Sequence, residues 1–252
     1  MKQNLAIFIT VRTGSTRLPN KSLIKIGEKY TIEYVIERAK KSKLANKVVL
    51  CTTLSHQDDV LCEIAKNNNI EVFRGSTEDK LERWNGACKF HDVSFFITAD
   101  GDDILCDSDL MDLGLKQYIN DNSIDFIESK DVVVGAFTYG ISANALKKVC
   151  EIKNSTDTEM MWVYFTDTGL FNVKSLEGVD PYVCRSDIRM TLDYKEDLEF
   201  FTNIIENFKD KEFNIHDIVR YIDLNPEVKN INFHRHKEWA QNQKNKTNLV
   251  LK

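Results

Sequence analysis

The strongest constraint on this sequence is an alternation, running from residue 5 to residue 118, of short apolar runs with stretches of helical periodicity. Leu5 to Val11 is almost continuously apolar and β-rich. That is the pattern of a strand buried on both faces, as in a parallel sheet. Thr31 to Lys43 then sets Ile32, Val35, Ile36 and Ala39 at helical spacing. The same alternation continues with a strand over 47–52, a helix over 58–67 and a strand over 70–73. A helix over 77–90, a strand over 93–98 and a helix capped by Ser108 follow. Strands alternating with helices in this way predict a three-layer α/β fold with a largely parallel sheet.

After residue 120 the pattern changes. Short strands are expected over 124–127, 132–138, 170–173 and 188–192, and helices over 144–150, 196–208 and 215–221. The second half therefore reads as a small antiparallel excursion added to the sheet. Residues 1–236 are expected to form one domain. Residues 237–252 are polar and lysine-rich and are expected to be a loosely packed tail.

Charge narrows the partners. The 34 Lys and Arg against 39 Asp and Glu leave a net charge of -5, which argues against a protein that coats nucleic acid. A small anion held by a few local cations remains open. No apolar run approaches the roughly 18 residues of a membrane-spanning helix. The six cysteines form no Cys-x-x-Cys pair, and a reduced, cytoplasmic protein is expected.

The most informative local segment directly follows the first strand and reads Val11-Arg-Thr-Gly-Ser-Thr-Arg-Leu-Pro-Asn-Lys21. Gly14 permits close approach to the backbone, and Ser15 and Thr16 offer hydroxyls and N–H groups. Arg12, Arg17 and Lys21 bring three cations to a loop at the carboxyl end of a strand, where open α/β sheets bind ligands. Backbone N–H groups with Arg and Lys are what a polyphosphate requires. Neither Gly-Lys-Ser/Thr nor G-x-G-x-x-G is present, so the loop is neither a Walker loop nor a dinucleotide fingerprint. A second constellation is Phe96-Ile-Thr-Ala-Asp-Gly-Asp-Asp103, a buried strand ending in carboxylates that would suit a hard cation such as Mg²⁺. Asp102, Asp103 and Asp107 are read as an acidic, solvated turn.

The loop resembles the opening signature of the sugar-activating cytidylyltransferases, most nearly the spore-coat polysaccharide biosynthesis protein F type. It is also similar to that of the 3-deoxy-manno-octulosonate and acylneuraminate cytidylyltransferases. Val72-Phe-Arg-Gly-Ser76 and Arg189-Met-Thr-Leu-Asp-Tyr-Lys-Glu-Asp197 resemble two further motifs of that family, in the same order. The resemblance implies the Rossmann-like nucleotide-diphospho-sugar transferase fold. It makes Arg12, Arg17 and Lys21 phosphate ligands and catalytic cations, with Gly14 and Ser15 as backbone donors and Thr52, Arg74 and Gly75 as further nucleotide contacts. It makes Asp100 and Asp193 the Mg²⁺ carboxylates. Glu159 resembles an acceptor-region glutamate, and Arg185 and Arg189 could meet an acidic acceptor. Residues 130–180 would carry acceptor binding and a homodimer contact. The family's proline after Asp100 is replaced here by Gly101-Asp102, which leaves the shape of that loop open.

The implied activity is transfer of CMP from CTP to an acidic sugar or related small acceptor, with release of pyrophosphate, for surface polysaccharide or glycoconjugate synthesis. Two alternatives stand beside it. Asp100-Gly-Asp102 also spells the D-x-D motif of GT-A glycosyltransferases. A degenerate, inactive homologue serving as a binding partner would explain the missing proline.

Overall fold

A computed structural model describes residues 3–14, 17–129 and 131–252. The chain runs β1 (Leu5–Thr10), a small hairpin of β2 (Lys25–Ile26) and β3 (Lys29–Tyr30), α1 (Thr31–Lys40), β4 (Lys47–Thr53), α2 (Asp59–Asn67) and β5 (Glu71–Gly75). It continues through α3 (Lys80–His91), β6 (Phe95–Asp100), α4 (Ser108–Asn120), β7 (Phe126–Glu128), β8 (Tyr139–Ser142), α5 (Ala143–Ile152), α6 (Val163–Thr166) and β9 (Val173–Ser175). The last helices are α7 (Lys195–Asn207), α8 (Ile215–Leu224), α9 (Pro226–Asn232) and α10 (His236–Lys246).

Among the described residues seven strands form one sheet in the order β5-β4-β1-β6-β8-β7-β9. The β5, β4, β1 and β6 strands are parallel, β8 runs antiparallel to β6 and β7, and β9 returns parallel to β7. The mixed, mainly parallel α/β architecture is the one expected. Strand period explains its three layers. Leu5, Ile7 and Ile9 of β1 face one core with α1, α2, α4, α7 and α8, whereas Ala6 and Phe8 face a second core with α3, α5 and α6. With β4 on one side of β1 and β6 on the other, the order reverses at β1. The crevice beyond the carboxyl ends of β1 and β6 is therefore the switch point where such sheets bind ligands.

Three expectations are corrected. Residues 132–138 and 188–192 are not sheet strands: a turn in which Ala136 N donates to Val133 O at 3.0 Å breaks the first, Val134 and Arg189 form an isolated bridge, and Met190 N donates to Val134 O at 2.8 Å. Leu192 N donates to Asp102 O at 2.9 Å, so this run satisfies its backbone on two loops rather than on a neighbouring strand. The true strand β8 lies just beyond the first of these runs, where Gly140 and Ser142 weaken the β signal. Residues 237–252 are not a loose end. They carry α10 and then an extended stretch in which Leu251 bridges Lys153 and Asn154 N donates to Val250 O at 2.8 Å.

Gly135 makes the contact between these loops possible. Its φ is 88°, and a Cβ there would lie 1.9 Å from Met190 O. Gly135→Ala should therefore destabilise the protein by about 2 kcal/mol or more, since both the backbone region and the space are denied to a side chain. A lowered urea midpoint with an unchanged m-value is the expected result.

Candidate active site

The crevice at the switch point is a cavity of about 910 Å³, lined by Arg12, Gly14, Arg17 and Lys21 and, facing them, Asp100, Asp102, Asp103 and Asp193. Register brings the two sides together: Thr10 pairs with Asp100 across β1 and β6, and Gly101 N donates to Thr10 O at 2.8 Å. A Cβ on Gly101 would sit 2.7 Å from the Val11 side chain. Glycine at this position thus lets the carboxylate turn close against the start of the cationic loop.

The first half of that loop is anchored by Asp58, which is buried just before α2. Its carboxylate accepts from Thr13 N at 2.8 Å, from Thr13 Oγ1 at 2.7 Å, and from the hydroxyls of Thr52 and Thr53. Burial works against the charged form, but these donors overcome it and hold the Asp58 carboxyl below the usual range. Thr52, expected to touch the nucleotide, is instead fully buried in this anchor. Arg74 also faces away from the cavity, tied to Thr53 O, Ser55 O and Asp59. Gly75 packs against Arg83, with a Cβ position only 3.1 Å from that side chain. Gly14 does line the cavity, and no described atom lies within 4 Å of its Cβ position. Ser15 lies outside the described residues.

The cations rest on the carboxylates. Lys21 Nζ donates to Asp102 Oδ2 at 2.6 Å and to Asp193 Oδ1 at 2.9 Å, and Arg17 Nη2 lies 2.7 Å from the same Asp193 oxygen. Burial would lower the Lys21 ammonium, but Asp102 and Asp193 hold it above its ordinary value, so it is cationic at any physiological pH. Burial likewise works to raise Asp193, and Lys21 and Arg17 overcome it. Lys80, not foreseen from sequence, pairs with Asp100 at 2.9 Å. Asp102 and Asp103 are not a solvated turn. Burial raises both carboxyls, Asp103 well above the usual range, and for Asp103 the neighbouring Asp102 and Asp100 add to the effect. Asp107 is no surface acid either: it caps α4 through Asp109 N and Leu110 N, and it accepts from Ile215 N.

The other half of the cavity is lined by Tyr139, Glu159, Met160, Trp162 and one side of α10, including Trp239, Gln243, Lys244 and Lys246. Glu159 lies 3.7 Å from Arg12 and 3.5 Å from Lys246, which links the cationic loop to the last helix. Arg185 and Arg189 do not line the cavity. Arg185 is spent on Asp187 and Asp223. Arg189 is fully buried, paired with Asp197, 3.6 Å from Asp193, and 5.5 Å from the ring centroids of Tyr194 and Trp239. It is a support beneath the site.

A cytidylyltransferase family model matches residues 6–222. The chain belongs to the cytidylyltransferase family. It is accordingly a CTP-dependent nucleotidyltransferase, and the glycosyltransferase alternative, which rested on one tripeptide, falls away. This cytidylyltransferase is 32% identical over 226 residues to an uncharacterised protein of Methanocaldococcus jannaschii, covering 89% of this chain and 92% of that one. It is 25% identical to the spore coat polysaccharide biosynthesis protein SpsF of Bacillus subtilis, over 89% of this chain and 96% of that one. A solved cytidylyltransferase structure from Leptospira borgpetersenii superposes with a TM-score of 0.83 at 29% identity, covering 90% and 97% of the two chains.

The carboxylates of this cytidylyltransferase fit a hard divalent cation. Asp100, Asp102 and Asp103 each offer an oxygen, all within 4.8 Å of one another. The Asp193 oxygen turned away from Lys21 is buried and accepts no hydrogen bond among the described residues. An oxygen-only donor set of this kind suits Mg²⁺.

The raised Asp103 carboxyl has a measurable consequence. As pH rises above the ordinary carboxylate value near about 4, the unfolded chain loses this proton while folded Asp103 retains it. Wild type is therefore progressively destabilised until pH reaches the folded-state value. Asp103→Asn should raise the melting temperature of chelator-treated protein at neutral pH. That gain should shrink to nothing in acid, as read by thermal melts across a pH series.

Proposed function

We propose that this enzyme transfers CMP from CTP to an acidic sugar or related small acceptor and releases pyrophosphate, in the cytoplasm and in the service of surface polysaccharide synthesis. The observation that carries the reading is Lys21. It is a half-buried ammonium at the carboxyl ends of the parallel strands, lining the same cavity as Arg12 and Arg17 and drawn toward a floor of carboxylates. The triphosphate would lie along Arg12, Gly14, Arg17 and Lys21, whose charges are already in place before the bond to the α-phosphorus breaks. Preorganised cations of this kind favour the transition state because they need no rearrangement as charge develops. Asp100 and Asp193, with Asp102 and Asp103 beside them, would hold Mg²⁺, which when bound neutralises the triphosphate and the leaving pyrophosphate.

The acceptor would enter from the α10 side. Lys244 and Lys246 offer cations for its acidic group, and Met160, Trp162 and Trp239 offer flat apolar surface for a sugar ring. Glu159 would orient it from between Arg12 and Lys246. The same reading carries a homodimer through residues 130–180, where, among the described residues, β9 is the terminal strand of the sheet and Leu170 is exposed nearby. Among the described residues no helix is long and apolar enough to cross a membrane.

Two measurements test the reading. CTP with Mg²⁺ should raise stability by about 2.7 kcal/mol at a hundredfold excess over its dissociation constant, and ATP and GTP should do so less. Equal stabilisation by all triphosphates would remove the base assignment. With CTP and a panel of sugar acids and sugar phosphates, pyrophosphate release should fall about 10²-fold or more in Lys21→Ala, as on loss of a transition-state donor. Near-normal turnover in that variant would overturn the phosphate role.

A further inference from the structure

We propose that Lys80 is a second nucleotide-binding lysine, which occupies Asp100 in place of the divalent cation in the resting protein and passes to the triphosphate when metal and CTP arrive. The inference rests on the CTP and metal reading above and adds to it a residue and a coupling between the two ligands.

Lys80 is the first residue of α3, and its backbone is firmly placed. The preceding Asp79 caps the helix through Glu82 N. Asp79 is itself buried, paired with Lys153 and hydrogen-bonded by Thr158 Oγ1 at 3.0 Å. Thr158 in turn accepts from Leu81 N at 3.1 Å. From this base the Lys80 side chain runs into the cavity over Trp84, its ammonium 4.9 Å from the ring centroid. The ring is pinned by its own Nε1–H, which donates to Thr10 Oγ1 at 2.7 Å at the end of β1. The ammonium therefore sits at the rim of both the cationic loop and the carboxylate floor.

Its anionic partner is Asp100, the carboxylate expected to take the metal. Lys21 is held by two carboxylates, whereas Lys80 is held by one. A dication competing for Asp100 has twice the charge of the ammonium and repels it at close range. The displaced ammonium keeps the aromatic face of Trp84 and needs a new anion. A triphosphate lying along Arg12 and Lys21 supplies one in the same cavity.

The two effects of Lys80 thus have opposite signs. Without nucleotide it opposes the metal, and with nucleotide it supports binding. Linkage requires that removing it shift the two equilibria in opposite directions. A lysine with a merely structural role would weaken both.

The test uses full-length protein, with Mn²⁺ as probe and folding checked by circular dichroism. Mn²⁺ affinity is measured without nucleotide, and CTP affinity is then measured at saturating Mn²⁺. Lys80→Ala should bind Mn²⁺ several-fold more tightly and CTP about tenfold more weakly, within the usual range of site-to-site coupling. Lys80→Gln, which removes the charge but keeps an unbranched stem and a polar end, should show the same pair of shifts, and Lys80→Arg should retain the wild-type signs. Unchanged or weaker Mn²⁺ binding in a folded Lys80→Ala would overturn the proposal while leaving the CTP reading intact if CTP still binds. A folded wild type that binds neither Mn²⁺ nor CTP would overturn the metal and nucleotide reading itself, and the proposal with it.

Discussion

The ammonium of Lys21 lies between two carboxylates from distant parts of the chain, Asp102 beyond β6 and Asp193 just before α7. Neither side of this arrangement could be held there alone, because an uncompensated, partly desolvated charge is costly. Together they give a charged but nearly balanced interior that remains open to ligand. This mutual neutralisation explains why the loop after β1 reaches across the crevice instead of extending into solvent. It also leaves the site with cations whose present partners can be exchanged for phosphate oxygens at little cost in rearrangement.

The acidic side depends on a part of the fold that is not sheet. The run from Ile188 to Leu192 holds its place through Val134 and Asp102 and through the buried Arg189, with Asn232 donating to Arg189 O at 3.0 Å. Removing one partner of a buried pair such as Arg189 and Asp197 leaves the other uncompensated, which is far more disruptive than loss of a surface bridge. The Asp58 anchor under Thr13 does the corresponding job on the basic side with neutral donors. The two sides of the crevice are therefore supported by different physics, ion pairing beneath the acids and hydrogen bonding beneath the cations.

The first half of the fold was legible because strand and helix periods alternate cleanly there. The second half was less so. Residues 132–138 and 188–192 have the composition of strands, but whether an extended run joins a ladder depends on partners distant in sequence. The polar stretch after residue 236 carries little apolar signal, yet the Trp239 ring against Arg189, the packing of Leu249 and a backbone bridge at Leu251 seat it. In the site, the local motif around Arg12, Arg17 and Lys21 was readable, as was Asp100 at a strand end. Burial of Asp103 was not, since clustered acids look solvated until other chain segments close over them. Lys80 had no motif of its own. Arg74 and Arg189 matched their motifs, but a matching residue can serve the motif from behind, as the buried Arg189 does; Thr52 and Arg185 stood outside the motifs and are spent on the Asp58 anchor and on Asp187 and Asp223.

The placement of α10 bears on how the molecule is assembled. One wall of the cavity comes from residues 239–247, and the extended stretch that follows is fastened back onto Lys153 and Asn154 at the end of α5. Three regions far apart in sequence, the end of β1, the end of β6 and the last helix, thus close one cavity. A change that frees the last stretch from α5 would open one wall of that cavity without touching a strand of the sheet.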